Sequence, residues 1–488
     1  MNKINSIAIA GGGTAGFVSA LILKTRFPKI KIDIIQSNKI GIVGVGEGST
    51  EHWNEFLKFM GIDVYTLIKE TDATCKLGIM FEGWSEKPYF HSVQKEFTQS
   101  ISQYPYLYGK LIGDGVDSSD ISLKCYWENK VDTWFVDNPK ECPSVQFHFN
   151  TRKLNEFLTN KAMSIGIGII DDEILDVNLN NSGGIDNLVG EYNQYKYDFY
   201  IDSTGFKRIL ISKLGAKWQS YSKFLKANSA IAFQTPDTDN YNIWTLAKTM
   251  KAGWLFRLPV WGRHGNGYIF NSDYISEEEA KIEVEKYFGH NIEINKTFKF
   301  DPGALDKVWI KNCCAIGLSA SFVEPMEASS IGTSIQQSFL LMHRLANYDD
   351  LTIERYNKSV NTILDNIRDF VALHYITNKK DTEFWKDVAE MPIPDTLADR
   401  LEIWKHKLPI GEDFNSQSDY SLFKEHNFTM VLHGLGLFNS DSIKKEYNAL
   451  ESSLHDHADK LLTNIRHYEK TMPSITHKEY IKKIRESK

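Results

Sequence analysis

The stretch Ile7-Ala8-Ile9-Ala10-Gly11-Gly12-Gly13-Thr14-Ala15-Gly16 reads as a short buried strand running straight into a glycine loop. The apolar residues after it predict a helix through Phe27. Strand, GxGxxG loop and helix in that order open a dinucleotide-binding unit, a context that a bare glycine motif lacks. Gly11 permits a tight turn, Gly13 lets a pyrophosphate approach the backbone, and Gly16 lets helix and strand pack closely. The phosphates would then lie against the turn at Thr14 and Ala15, on the N-terminus of the helix. The next strand, from Lys31 to Ile35, ends at Gln36. Dinucleotide binders usually place an acidic residue there for the adenosine ribose; Gln36 can still hydrogen-bond a hydroxyl, without charge.

Two further segments extend this reading. Tyr200-Ile201-Asp202-Ser203-Thr204-Gly205-Phe206 and Cys314-Ala315-Ile316-Gly317-Leu318 each show a strand ending in a polar or glycine turn. Alone, each is an ordinary strand-end turn. With the first loop they resemble the widely separated nucleotide contacts of FAD-dependent hydroxylases, which makes Asp202 and Gly317 candidate cofactor contacts. The expected class is therefore α/β, with a parallel nucleotide-binding sheet and an additional mixed or antiparallel sheet.

A second segment carries the chemistry. Phe322-Val323-Glu324-Pro325-Met326-Glu327-Ala328-Ser329-Ser330-Ile331 joins two carboxylates and a helix-breaking proline to small polar residues at the start of an apolar-periodic run. Ile331, Ile335, Phe339, Leu340 and Met342 predict a helix, with Ser329 and Ser330 near its start, where free N–H groups and the macrodipole attract an anion. Glu327 directly precedes those donors. Read alone, the segment is an ordinary capped helix start.

Composition sets limits on partners. The chain has 488 residues, a net charge of -7 and no basic cluster, which argues against a phosphate-backbone partner such as nucleic acid. No apolar run reaches membrane-spanning length, and Met1 to Ala10 lacks the layout of a signal peptide, so a soluble cytoplasmic protein is expected. The five cysteines (Cys75, Cys125, Cys142, Cys313 and Cys314) show neither metal-ligand spacing nor a paired framework, and no metal site is expected. No Pro/Ser-rich linker or repeat divides the chain.

Several separated motifs, taken with the FAD framework, resemble the flavin-dependent tryptophan halogenases over nearly the whole chain. They are Gly44-Val45-Gly46-Glu47-Gly48-Ser49-Thr50, Cys75-Lys76-Leu77-Gly78 through Trp84, His148-Phe149-Asn150, Gly253-Trp254-Leu255-Phe256-Arg257-Leu258-Pro259, Arg263 to Tyr268, the Glu324-to-Glu327 segment, His374-Tyr375, and Asp381 to Trp385. The resemblance implies that Lys76 and Glu327 are the catalytic pair and that Ser329 and Ser330 line a halide site. Gly44 to Thr50 would form the strap between flavin and substrate regions, with Gly46 and Glu47 among the cofactor contacts. The family uses reduced FAD from a separate flavin reductase, with oxygen and halide, to make hypohalous acid that travels through the protein to an aromatic substrate such as an indole. Lys76 then holds the electrophilic halogen, and Glu327 polarises it or takes the proton lost from the ring. A lysine among apolar neighbours suits that task, because desolvation lowers its pKa and confinement keeps hypohalous acid from leaking away.

One motif departs from the family pattern Trp-x-Trp-x-Ile-Pro, since Phe256 stands at the second Trp and Leu258 at the Ile. Trp254 and Phe256 read equally as rings that keep substrate off the flavin and as same-face strand residues of the core. Phe90 and His91 are candidate substrate contacts, an aromatic and an imidazole able to flank a flat ring. From Thr352 onward Tyr356, Val360, Ile363, Leu364, Ile367, Phe370 and Val371 repeat at helical spacing. The expected organisation is an FAD-binding and halogenation module over residues 1–350, with inserted substrate segments at about 85–145 and 215–310, and a mainly helical covering region over 351–488.

Overall fold

The strand Ser6–Ala10 is central: it pairs in parallel with Phe199–Asp202 on one side and with Lys31–Gln36 on the other. Ala10 lies opposite both Asp202 and Ile35, so the glycine loop leaves the sheet at the carboxyl edge of three aligned strands, where α/β folds bind ligands. This computed structural model describes residues 4–41, 46–93, 105–116, 127–138, 141–144, 146–414 and 420–487. Gly44, Val45 and Cys125 lie outside the described residues.

Six strands make the first sheet, in the order Trp309–Ile310, Cys313–Ala315, Phe199–Asp202, Ser6–Ala10, Lys31–Gln36, Gly168–Asp171. Trp309–Ile310 is an antiparallel edge and the other pairings are parallel. The helix Thr14–Arg26 covers this sheet with a continuous buried run from Gly16 to Leu23. A seven-stranded sheet stands beside it, antiparallel except where Thr245–Met250 meets Gly78–Glu82 in parallel. The α/β class, the parallel sheet and the additional mixed sheet are those expected from the sequence.

A small sheet sets up the site. Glu47–Gly48 and Thr74–Lys76 both pair antiparallel with Gln146–Phe149, from opposite sides. Three segments far apart in the chain thus lie side by side, with Gly48 and Thr74 both facing His148.

The C-terminal part is mainly helical. Asp350–His374 is 25 residues long, and its N-cap Asp349 accepts from the Thr352 N–H at 2.8 Å. Its predicted stripe, from Tyr356 to Val371, is buried, and the ring of Phe370 stacks on Phe423 at 4.0 Å. That packing fixes the last turn and delivers His374 to the centre of the molecule. At the far end, Ser474–Thr476 pairs with Lys130–Asp132, and the helix His477–Glu486 starts from a Thr476/Glu479 capping box. No described helix is long and apolar enough to cross a membrane.

Candidate active site

A cavity of about 860 Å³ runs from the glycine loop toward the Glu327 segment. Gly11, Gly13, Thr14, Ala15, Gln36, Gly46, Glu47 and Gly317 line one stretch of it, and Trp254, Phe256, Glu327 and Ser330 line another. Gly11 has φ +112, and a Cβ there would lie 2.2 Å from the Ser203 carbonyl oxygen, so only glycine makes this turn. Gly13 has nothing within 4 Å of its Cβ position among the described residues and leaves the backbone open to the cavity. Asn155 Nδ2 donates to the Gly12 carbonyl at 2.8 Å and fixes the loop.

Glu47 faces this cavity with Oε2 unpartnered among the described residues. Burial pushes its carboxyl up to about 7, with the Thr14 hydroxyl opposing in part. An open glycine turn at a helix N-terminus, an unpartnered carboxyl oxygen and a cavity of this size fit an FAD-type dinucleotide. Gly16 packs inside the turn, where a Cβ would be 2.2 Å from the Gly11 carbonyl oxygen.

Asp202 departs from the expectation of a cofactor contact. Its Oδ1 accepts from the Thr204 N–H, the Thr204 hydroxyl and the Ser319 hydroxyl at 3.0, 2.7 and 3.0 Å, and its Oδ2 from the Leu210 and Ile211 N–H groups, both at 2.9 Å. Fully buried and saturated, it holds the turn together; its neighbours Ser203, Thr204 and Gly205 line the cavity instead.

Lys76 lies on the far side of the Glu47–Gly48 strand. It is buried, and its Nζ donates to the Ser49 carbonyl at 3.0 Å. Burial lowers its amine to about 8, against the pull of Glu327 and Glu51. A Cβ on Gly48 would lie 3.0 Å from Ala328 Cβ and 3.8 Å from Lys76 Nζ, so Gly48 is a thin partition between the lysine and the Glu327 segment.

Glu327 occupies a strained turn: Glu324, Glu327 and Ala328 have φ of 77, 61 and 54. Three non-glycine residues in the left-handed region within five positions are costly and persist where the surroundings over-determine them, as at reactive sites. The helix Ser329–Arg344 begins directly after. Ser330 reaches the cavity and Ser329 is buried.

His91 and His374 grip the Glu327 carboxylate. His91 Nδ1 is 2.8 Å from both oxygens and His374 Nε2 is 3.1 Å from Oε1. Burial alone would raise this carboxyl, but the two imidazoles outweigh it and hold it at about 2. His91 has its other nitrogen on Asn427 Nδ2 at 3.1 Å, so both ring positions are engaged within the protein. Phe90 packs with Met80 and Leu246 against Trp127 and Trp244, off the cavity wall. Asn427 was not foreseen, and His374 was read only as part of a motif; their signal was an imidazole and an amide at buried helix positions.

Trp254 and Phe256 share one strand face, their ring centroids are 6.3 Å apart, and both line the cavity. Trp254 Nε1 also donates to Glu324 Oε2 at 3.0 Å.

The chain resembles known proteins along nearly its whole length. The 7-chloro-L-tryptophan 6-halogenase KtzR of Kutzneria sp. (strain 744) is 31% identical over 452 residues, 83% of this chain and 86% of its own length. The solved structure of the tryptophan 6-halogenase SttH from Streptomyces toxytricini superposes with a TM-score of 0.88 at 25% identity, over 98% of this chain and 99% of that one. A flavin-dependent halogenase from Xanthomonas campestris does so with a TM-score of 0.86 at 28% identity, over 99% and 98%. The tryptophan halogenase family description matches residues 6–449, and the chain is an enzyme of that family.

Proposed function

We propose that the protein halogenates an electron-rich aromatic such as an indole, using reduced FAD, oxygen and halide, with Lys76 and Glu327 as the catalytic pair. Reduced FAD, when bound, would combine with oxygen to supply the two-electron oxidising chemistry that turns halide into hypohalous acid. The reading rests on one observation: a fully buried lysine, its amine lowered to about 8, stands behind a glycine partition from a buried carboxylate that reaches the FAD-sized cavity.

Gly11, Gly13, Thr14 and Ala15 would hold the pyrophosphate, with Gly16 packed behind the turn, Gln36 a ribose hydroxyl, and Glu47, Gly46 and Gly317 the rest of the cofactor. Ser329 and Ser330 would offer helix-start N–H groups to halide. Residues 1–350 form the catalytic module on this reading, and the helices of 351–488 cover it. Lys76, with a neutral fraction near neutral pH, is both hydrogen-bond donor and nucleophile toward electrophilic halogen. Glu327 stays ionised, stabilises positive charge developing on the ring and accepts the departing ring proton. A C–H on a cationic ring is acidic enough for so weak a base. Burial on every side keeps hypohalous acid from bulk water. A separate reductase delivers reduced FAD, and Gln36 keeps the flavin exchangeable.

The test incubates the protein with a reduced-FAD supply, oxygen and an indole panel, with chloride, bromide or iodide present or omitted, and follows product mass. Halide-dependent mass gain is expected, and Lys76→Met should abolish it while flavin binding and oxygen consumption continue. Oxygenated product without halide, or full halogenation by Lys76→Met, overturns the reading.

A further inference from the structure

Cys75 and Cys142, 67 positions apart, bring their sulfurs to 3.9 Å. Neither composition nor spacing marks them as partners. Cys75 is buried, whereas Cys142 is partly exposed. Both act on the backbone of Lys76. Cys75 directly precedes it on the strand Thr74–Lys76, and its N–H donates to His477 Nε2 at 3.2 Å. Cys142 lies two residues before Ser144, whose hydroxyl donates to the Lys76 carbonyl. A disulfide holds its sulfurs roughly 2 Å apart, so closing this contact brings the two sulfurs about 2 Å nearer and ties their segments covalently. Lys76 follows Cys75 directly and its carbonyl takes the Ser144 hydroxyl, so strain from closing the contact passes to the Lys76 main chain from both sides.

We propose that Cys75 and Cys142 are a peroxide-sensitive thiol pair whose oxidation to a disulfide displaces Lys76 and switches the site off. Cys142 is the attacking sulfur. It is the more accessible of the two, and the hydrogen bond it shares with Cys75 lowers its pKa, while Cys75 is raised in turn. Hydrogen peroxide, which reduced flavin yields with oxygen in free solution, is the oxidant. The Cys142 thiolate attacks one peroxide oxygen; an S–O bond forms, the O–O bond breaks, and hydroxide leaves and is protonated to water. Cys75 sulfur then attacks the Cys142 sulfenic acid; the S–S bond forms, the S–O bond breaks, and the departing hydroxide takes the Cys75 proton as a second water. Two thiols are oxidised and one peroxide is reduced to two waters. Dithiothreitol reverses the change.

The test treats the reduced full-length protein with hydrogen peroxide, alkylates it after denaturation, and maps peptides by mass. A Cys75–Cys142 cross-link is expected, lighter than the two reduced peptides by two hydrogens and absent in Cys142→Ser. Lys76 acylation by an amine-directed reagent, read in the same digest, should change at least about 10-fold on cross-linking, because displacements of about 1 Å already alter reactivity up to 100-fold. Halogenation should fall with the cross-link, return with dithiothreitol, and survive peroxide in Cys142→Ser. Alkylation of both cysteines after peroxide, or a cross-linked protein with unchanged Lys76 labelling, overturns the proposal. The cross-link and the labelling need no turnover, so they decide it even if the chain halogenates nothing in the panel.

Discussion

His374 approaches Glu327 with Nε2 3.1 Å from Oε1, while its Nδ1 lies 2.8 Å from the Phe370 carbonyl oxygen. A carbonyl oxygen only accepts, so Nδ1 donates there, and Nε2 faces a carboxylate, which likewise only accepts. The contact is therefore a charge-assisted hydrogen bond. His91 works from the other side: Asn427 can only donate through Nδ2, so His91 Nε2 accepts and its Nδ1 proton points at Glu327. Two N–H donors on one buried carboxylate fix its rotamer and its charge.

His374→Gln should slow halogenation by about 10- to 100-fold, the range given by losing one hydrogen bond to a charged group. Flavin affinity should be unchanged. The sharper readout is pH. With one imidazole gone, burial is less well opposed, Glu327 rises from about 2, and the acid limb of the rate profile moves to higher pH. Identical acid limbs for variant and parent would sink this account of the carboxylate.

Glu327→Gln keeps the shape of the side chain and removes its charge. Turnover should fall by about 100-fold or more, the range of a positioned acid or base, while the helix Ser329–Arg344 and the flavin site persist. Product formation under constant reduced-FAD supply checks the rate, and circular dichroism checks the helices. A variant that turns over at the parental rate would make Glu327 a turn residue and nothing more.

Local chemistry was legible in the sequence where a few neighbouring residues determine it. The turn at Gly11 needs a left-handed residue beside Ser203, and the run Gly16 to Leu23 needs a buried helix; both follow from positions within one supersecondary unit. Asp202 was misjudged because its five hydrogen bonds come from Thr204, Ser319, Leu210 and Ile211, and a sequence does not show how many donors converge on a carboxylate. The clasp on Glu327 was illegible for a related reason: His91 lies 236 positions away and His374 lies 47. The link between Cys75 and Cys142 depends on a strand pairing across Gln146–Phe149 that no local pattern announces.

Gly48→Ala tests the partition between cavity and lysine. The added methyl would stand 3.0 Å from Ala328 Cβ, tighter than ordinary contact, and 3.8 Å from Lys76 Nζ. Ala328 sits in a strained turn and cannot retreat without turning Glu327. Flavin binding should survive while halogenation falls about 10-fold or more, as small displacements near reacting groups do. Unreacted hypohalous acid, trapped by a thioether added to the buffer, should rise in proportion. Full halogenation with no rise in trapped oxidant would show that the passage does not run past Gly48.

Glu324 makes a prediction about stability. It is fully buried, its Oε2 accepts from Tyr375 Oη at 2.7 Å and from Trp254 Nε1 at 3.0 Å, and its Oε1 has no partner among the described residues. Burial pushes its carboxyl up to about 7, with the Tyr375 and Trp254 bonds opposing in part. The unfolded chain releases this proton near 4.5 and the native protein holds it to about 7. Between those values the native state binds more protons, so its stability falls as pH rises, and the loss persists above 7. A difference of this size is on the order of 3 kcal/mol. Glu327 titrates below this window and Lys76, at about 8, above it. Glu47 shifts in the same direction as Glu324, and the buried His264 and His477, lowered to about 4, act the opposite way; these are common to parent and Glu324→Gln and cancel in the difference. Denaturant midpoints at pH 5 and pH 8 should therefore separate the two proteins: Glu324→Gln loses less stability between them than the parent, by an amount on the order of 3 kcal/mol. Parallel losses in both would mean that Glu324 is already ionised at pH 5 and that Tyr375 and Trp254 hold it as a carboxylate.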